Sequence, residues 1–228
     1  MFTFAVCLIA VALVLGLWAQ FRVKSAFEKY SQVRISTNMT GADVARQILA
    51  AAGIHDVEVA EIDGMLGDHY DPSSKRLCLS SEVYGTPSVA AAGIAAHETG
   101  HAIQHAHGYI PLQARMAVVP ITQFTSKLLP IVMFGGFFFH LIPGMLAVQL
   151  AALCYGVLTV FQLITLPVEF DASHRAKIIL NQMGIVQAGQ EAVGVNRVLD
   201  AAALTYVAAF VSSLGWLLYF LSIGNRRN

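Results

Sequence analysis

Four long apolar stretches constrain this chain more than any other feature of its sequence. Residues 2–21, 120–141, 145–166 and 198–223 carry almost only apolar side chains. A helix needs about 20 such residues to cross the hydrocarbon core of a bilayer. The chain has 228 residues, of which 56% are hydrophobic and only 12% are charged, so one soluble domain could not bury its apolar surface. The sequence therefore predicts a mainly α-helical integral membrane protein with about four transmembrane helices.

The connections between these stretches indicate which segments share a side of the membrane. Residues 142–144, Ile-Pro-Gly, join the second and third stretches, so we expect residues 120–166 to form a transmembrane hairpin. A hairpin returns the chain to its starting side, so residues 22–116 and 167–197 should face the same compartment. The first stretch lacks the positive start and small-residue exit of a cleaved signal peptide, and we expect it to be retained as an anchor.

Basic residues near the ends of the apolar stretches predict the orientation. Arg226 and Arg227 lie on one side, and a larger group lies with the polar segments. Cytoplasmic segments carry the excess of Lys and Arg, so we expect the polar segments to face the cytoplasm of a prokaryotic cell. The formal net charge is zero and no basic run is present, which argues against a nucleic-acid partner. The larger group comprises Arg22, Lys24, Lys29, Arg34, Arg115, Arg175, Lys177 and Arg197.

The polar segment 22–116 has the pattern of a small α+β domain. Thr40–Asp43 is typical of a helix start, and the short pieces 57–59 and 76–79 are typical of strands. The residues Asp71–Ser74 between the strands favour a turn. An alanine-rich helix is predicted over about residues 88–107, after Pro87.

This last helix carries the motif that indicates chemistry. Residues 97–101, His-Glu-Thr-Gly-His, match HExxH. Histidines four residues apart lie on one helix face, so His97 and His101 can bind one Zn²⁺ ion through neutral imidazoles. Glu98 can then act as general base towards a water molecule that the metal activates. The motif predicts a zincin-like catalytic domain that hydrolyses peptide bonds.

A catalytic zinc ion needs three protein ligands and one open position. His105 lies about 12 Å from His97 along the helix axis, so both cannot bind the same ion. Glu169 is the best third ligand, because it follows a membrane span and Pro167, where a charge is costly unless it has a function. Other candidate ligands are His55, His69 and His174.

Residues near Glu169 have further candidate roles. Asp171 either orients a ligand histidine or is an ordinary acidic residue at a helix start. His174 and Arg175 could stabilise the oxyanion of the transition state.

The strand-like segment around residues 76–80 suggests how a substrate is held. Such a strand could pair with an extended peptide, which would favour unfolded or flexible polypeptides, including membrane proteins, as substrates. An ordinary edge strand of a small sheet explains the same pattern. The residues concerned are Leu77, Cys78 and Leu79.

Five segments spread over nearly the whole chain carry a family resemblance. They are residues 68–72 (DHYDP), 77–80 (LCLS), 95–104 (AAHETGHAIQ), 166–173 (LPVEFDAS) and 201–208 (AAALTYVA). With them the chain resembles the YugP-like membrane zinc metallopeptidases and, more distantly, the HtpX-type membrane proteases. The resemblance implies His97, His101 and Glu169 as zinc ligands and Glu98 as the base. The HtpX-type pattern has an aspartate four residues after its glutamate ligand, where this chain has Ser173, so contacts around the ligands should differ.

Two other functions fit parts of the pattern. An intramembrane protease also carries HExxH, but here polar flanks leave the apolar part of the motif helix too short to span a bilayer. A metal-binding membrane scaffold would need the histidines, yet a purely structural metal site has no need for a base such as Glu98.

Overall fold

A computed structural model of the chain describes residues 1–64 and 67–225. Arg226 and Arg227, which bear on the predicted orientation, lie outside these residues. The chain divides into two compact units. The first contains Met1–Ala19, Gln113–Pro167 and Thr205–Asn228, and the second contains Gln20–Leu112 and Val168–Leu204. The helices are α1 (Phe2–Ser31), α2 (Gly41–Ala51), α3 (Ser81–Tyr84), α4 (Val89–Ala106), α5 (Ile110–Val132), α6 (Gly144–Gln182) and α7 (Gln190–Gly224), and a π-helical segment, Met133–Phe138, follows α5.

Four helical segments of the described chain are long and apolar enough to cross a membrane, as predicted: Phe2–Ser31, Ile110–Phe138, Gly144–Gln182 and Gln190–Gly224. Their most apolar windows have mean hydropathies between 1.4 and 2.5, and at most 28% of any window is buried within the protein. Water would hydrate so much exposed apolar surface only at a high cost in free energy. Lipid is the solvent that these surfaces fit.

The first unit packs around aromatic and small side chains. Tyr155 stacks on Trp216 and on Phe220, with ring centroids 5.8 and 5.7 Å apart. A Cβ atom at Gly136 would lie 2.5 Å from the Cβ atom of Ala147, so glycine is required where the π-helical segment meets α6. Helices without a hydrophobic driving force between them associate through such close contacts.

Two helices are longer than the sequence pattern predicts. Helix α5 begins at Ile110 and continues through Pro120 and Pro130, whereas the apolar stretch begins at residue 120. Helix α6 continues through Pro167 to Gln182, whereas its apolar stretch ends at residue 166. Proline removes one backbone hydrogen bond and usually kinks or ends a helix. In α6, Val168 directly follows Pro167 and is fully buried. Packing of this part of the helix outweighs the backbone hydrogen bond that the proline removes.

The second unit contains a three-stranded sheet of β1 (Glu58–Ile62), β2 (His69–Asp71) and β3 (Arg76–Ser80) in the order β1-β3-β2. Strand β3 pairs in parallel with β1 and antiparallel with β2. The Asp68 carboxylate also accepts a hydrogen bond from the backbone N–H of Ser80, at 2.8 Å.

This strand order corrects the interpretation of β3 as a strand that pairs with substrate. Both of its edges already have partners, so β3 has no free edge for strand addition. Its side chains at Leu77, Cys78 and Leu79 are also buried, with exposed fractions of 0, 6 and 0%. These three residues therefore belong to the core of the unit.

Helix α4 is held against its neighbours by small side chains. The Ser88 hydroxyl caps its start by accepting a hydrogen bond from the N–H of Ala91 at 3.1 Å. Along the following turns Ala90, Ala92 and Ala95 are buried. A Cβ atom at Gly100 would lie only 2.9 Å from the carbonyl oxygen of Ala172 in α6. The glycine therefore allows α4 and the second half of α6 to approach closely.

Candidate metal centre

Three potential ligand atoms converge where α4 meets α6. The His97 and His101 rings are 4.8 Å apart in an edge-to-face arrangement. Glu169 Oε2 lies 3.3 Å from His97 Nε2 and 3.6 Å from His101 Nε2. The ligand atoms of the three residues all lie within 4.8 Å of one another. Two imidazole nitrogens and one carboxylate form a donor set that catalytic zinc sites use.

The backbone of α6 explains how Glu169 reaches the histidines. Gly100, one residue before His101, contacts the turn of α6 at Ala172. Glu169 lies three residues earlier in α6, on a neighbouring part of the same helix face, and is only 2% exposed. A carboxylate buried this deeply is stable only beside compensating positive charge. The second half of α6 therefore brings a negative charge to the two imidazoles.

A buried glutamine fixes the orientation of His101. The Gln104 side chain is 0% exposed, and its Nε2 group donates hydrogen bonds to the Val168 carbonyl and the Asp171 carboxylate, at 2.9 and 2.8 Å. Its Oε1 atom must then accept from His101 Nδ1, at 2.9 Å. With the proton on Nδ1, the Nε2 lone pair is available for a metal ion.

Ser173 contacts the other histidine. Its hydroxyl lies 3.1 Å from His97 Nδ1. Because Nδ1 has this partner, the other ring nitrogen of His97, Nε2, faces Glu169, as Nε2 of His101 does. Both histidines thus have a neutral partner on Nδ1, the hydroxyl of Ser173 and the amide oxygen of Gln104. The HtpX-type pattern has an aspartate at the position of Ser173, so the contacts around the ligands were expected to differ from that pattern. The contact of Ser173 with His97 agrees with this expectation.

The electrostatics of the cluster favour a bound cation. Burial by itself lowers the pKa of His101, but the hydrogen bond to Glu169 and the negative charges of Glu98 and Glu169 raise that pKa above its ordinary value. The carboxylates therefore stabilise positive charge at the imidazoles. A divalent cation can occupy the place that a proton takes in its absence.

Glu98 lies beside this cluster on α4. Its Oε2 atom accepts a hydrogen bond of 3.1 Å from the backbone N–H of Tyr70 in β2. Burial raises the pKa of the Glu98 carboxyl, and the negative charges of Glu169 and Asp68 add to the increase, while His97 and His101 oppose it. A carboxyl group with a raised pKa can both accept and release a proton at moderate pH.

Asp171 and Arg175 form an ion pair that supports Gln104. Arg175 Nε lies 2.5 Å from Asp171 Oδ2, the same atom that accepts from Gln104. The Arg175 guanidinium also lies 5.9 Å from the centre of the Tyr109 ring. Of the two roles considered for Asp171, the geometry favours orientation of a histidine, through Gln104. The proposed oxyanion role of Arg175 stays a prediction.

The other histidines are not part of the cluster. Within residues 1–64 and 67–225, the group able to hold a metal ion is His97, His101 and Glu169. His55, His69 and His174 are exposed. His69 Nδ1 lies 2.7 Å from the carbonyl oxygen of Gly67. The geometry therefore favours Glu169 over these three as third ligand, and the roles of the site residues stay predictions.

Gln104 and Tyr70 were not predicted from the sequence as site residues. Gln104 lies three residues after His101 on a helix, a spacing that places two side chains on neighbouring positions of one face. This spacing was the signal that could have identified it. Tyr70 contributes through its backbone N–H, which no side-chain pattern reveals.

The chain has four helical segments able to span a membrane among its described residues, and its HExxH helix meets a glutamate from a second helix. Both features are expected of a membrane metallopeptidase. The family model described as "putative neutral zinc metallopeptidase" matches residues 5–225, and the chain belongs to this family. It is similar to the "Putative membrane protease YugP" of Bacillus subtilis (strain 168), with 46% identity over 212 residues that cover 93% of this chain and 92% of that protein. The family predicted from the five segments is thus confirmed. No solved structure matches the chain.

Proposed function

We propose that this chain is a membrane-embedded zinc endopeptidase with a zincin-like catalytic unit. His97, His101 and Glu169 hold one Zn²⁺ ion, and Glu98 acts as general base. The observation that carries the proposal is that the ligand atoms of His97 and His101 on α4 and of Glu169 on α6 all lie within 4.8 Å of one another, and α4 also bears Glu98. Membership of the zinc metallopeptidase family supports the same assignment.

The residues of the chain divide the chemistry between them. A zinc ion in this donor set would polarise the scissile carbonyl group and lower the pKa of water. Glu98 accepts a proton from the attacking water molecule and passes it to the nitrogen of the leaving amine. The Tyr70 N–H holds one carboxylate oxygen of Glu98, at 3.1 Å, which limits the rotation of the side chain. Gln104 and Ser173 keep the two imidazoles turned towards the metal position.

The substrates that we propose are polypeptides in unfolded or flexible form, including segments of membrane proteins. The relative in Bacillus subtilis is described as a membrane protease, which supports peptide bonds as the target. We propose further that the catalytic unit faces the cytoplasm. The basic residues that flank the apolar stretches support this orientation.

An intramembrane protease agrees less well with the composition of α4. Among the residues that the structure describes, the four helical segments able to span a membrane do not include α4, which carries the motif. Its 18 residues, Val89–Ala106, contain six polar or ionisable side chains, all within the motif and its continuation. A catalytic centre outside the hydrocarbon core accounts for this composition.

The test of the proposed function is the variant Glu98→Gln in the purified full-length chain. Removing a general base typically lowers the rate about 10²–10⁴-fold, and glutamine keeps the size of the side chain. We expect cleavage of a permanently unfolded model protein to be lost while the zinc content of the purified protein is kept. Glu82→Gln, at an exposed position of α3, is the matched control and should cleave normally.

Three results would contradict the proposal. Unchanged cleavage by Glu98→Gln would remove the base from the mechanism. Absence of zinc from the unsubstituted protein after purification without chelator, and after incubation with zinc, would remove the metal centre. Zinc bound equally by both proteins, with no cleavage of any polypeptide by either, would favour a metal-binding scaffold.

A further inference from the structure

A charged groove of about 350 Å³ lies in the second unit, between α1 and α7. Three cationic side chains line it, Arg22 and Lys29 from α1 and Arg197 from α7. Its lining, within the described part of the chain, includes no carboxylate. This groove is separate from the candidate metal centre, whose residues belong to α4 and α6.

One face of α1 forms most of the groove. Arg22, Ser25 and Lys29 recur at helical spacing along it, together with Phe21 and Tyr30. The adjacent face of α1 carries Lys24 and Glu28, which form an ion pair of 3.8 Å. Glu28 therefore already has a cationic partner outside the groove. The groove keeps an excess of positive charge.

The contact between α1 and α7 is built into the sequence. A Cβ atom at Gly194 would lie 2.7 Å from Tyr30 Cδ1, so only glycine lets the tyrosine ring rest on α7. Tyr30 is 6% exposed, and Lys29 Nζ lies 5.4 Å from the centre of its ring. Arg197 follows Gly194 by three residues and so lies on a neighbouring part of the same helix face. The three cations are thus held together by a packed contact.

The sequence places this groove at the depth of lipid headgroups. The apolar stretch of α1 ends at Phe21, and Arg22 follows it directly. The apolar stretch of α7 begins at Val198, directly after Arg197. In α1 the change from apolar to charged residues therefore falls at the groove. In α7 it falls within one turn of the groove, because Asp200, which pairs with Lys177 at 2.5 Å, is the last charged residue before the apolar remainder of the described helix. Such changes mark the boundary between the hydrocarbon core and the headgroup region.

We propose that this groove binds the phosphodiester headgroup of an anionic phospholipid. Arg22 and Arg197 offer forked N–H donors that suit phosphate oxygens, and the Lys29 ammonium and Ser25 hydroxyl offer further donors. Basic pockets between transmembrane helices bind anionic headgroups in this way. Phe21, exposed at the lip of the groove, provides the apolar surface that acyl chains would contact, which favours a lipid over free phosphate.

The test uses the full-length protein in detergent and titrates it with phosphatidylglycerol, phosphatidylcholine and inorganic phosphate. Bound lipid is counted by native mass spectrometry. Each Lys or Arg near a membrane surface contributes about a five-fold gain in affinity for anionic lipid. The variant that combines Arg22→Gln, Lys29→Gln and Arg197→Gln should therefore bind phosphatidylglycerol about a hundred-fold more weakly than the unsubstituted protein. The matched control Lys24→Gln removes a cation from the adjacent face and should bind as the unsubstituted protein does.

A charge-conserving variant separates loss of binding from loss of folding. Arg22→Lys with Arg197→Lys keeps the net charge of the groove and should keep phosphatidylglycerol binding within several-fold. Equal binding of phosphatidylglycerol by the triple variant and by Lys24→Gln would overturn the proposal. Equal affinity for phosphatidylcholine, or for inorganic phosphate, would do so as well. Zinc content should not change in any of these variants, so the result is independent of the proposed peptidase activity.

Discussion

Replacing Gln104 with leucine tests the hydrogen-bond network behind the candidate metal centre. The side chain is fully buried and makes three hydrogen bonds, with His101, Val168 and Asp171, at 2.9, 2.9 and 2.8 Å. Leucine is similar in volume but makes none of these bonds. The variant therefore removes the network and leaves the packing volume nearly unchanged.

The loss can be worked out bond by bond. The Nδ1–H group of His101 becomes a buried donor without its partner, at a cost of about 1–3 kcal/mol. The bonds to the Val168 carbonyl and to the Asp171 carboxylate contribute about 1 kcal/mol each, since both acceptors keep other partners. The free energy of unfolding should fall by about 3–5 kcal/mol. Zinc affinity should fall about 10–100-fold, because Gln104 no longer holds His101 in the tautomer that leaves Nε2 free.

Two assays measure these effects separately. Thermal unfolding of the chelator-treated protein reports stability without metal, and competition with a chromophoric chelator reports zinc affinity. Gln47→Leu is the matched control, because Gln47 is exposed on α2, and it should leave both quantities unchanged. If Gln104→Leu binds zinc within two- to three-fold of the unsubstituted protein, the network does not orient His101 and the reasoning is wrong.

Two further predictions concern backbone packing and acid stability. Gly100→Val should destabilise the protein by about 1–3 kcal/mol through overpacking and lower its zinc content, because even a Cβ atom would lie 2.9 Å from the Ala172 carbonyl oxygen. The control Gly16→Val, with no atom within 4 Å of the added Cβ, should bind zinc normally. Equal zinc content in the two variants would contradict this prediction. Hydrogen bonds from Ser73 and Ser74 lower the pKa of Asp71 from 3.8 to about 2, so this group stabilises the folded state above about pH 4 and loses that effect as the pH falls towards 2. Asp71→Asn should therefore show a smaller fall in melting temperature between pH 5 and pH 2, and an unchanged fall would show that the turn does not contribute.

The site residues that could be predicted from the sequence are those identified by their spacing within one helix or by their position along the chain. Two histidines four residues apart on a helix share a face whatever surrounds the helix, so His97 and His101 could be paired from the motif. Glu169 could be chosen because a carboxylate next to an apolar stretch is costly without a function. Gln104 was missed because its partners, Val168 and Asp171, lie more than 60 residues away in α6.

The central position of β3 in the sheet could not be predicted from the sequence either. Strand periodicity reports which residues are extended, but it carries no information on which strand pairs on either side. Only the pairing of β3 with both β1 and β2 shows that Leu77, Cys78 and Leu79 are core residues.

The sequence by itself determined that this chain belongs in a membrane, that it belongs to a zinc metallopeptidase family, and where its HExxH helix lies. These features depend on composition, on apolar length and on spacing within one helix, and all of them are local. The tertiary structure alone decided that α6 runs unbroken past Pro167, that Gly100 lets α6 approach α4, and that Gln104 fixes the tautomer of His101. Those features depend on contacts between distant segments, which form only when burial of one helix face against another outweighs the conformational entropy of ordering both.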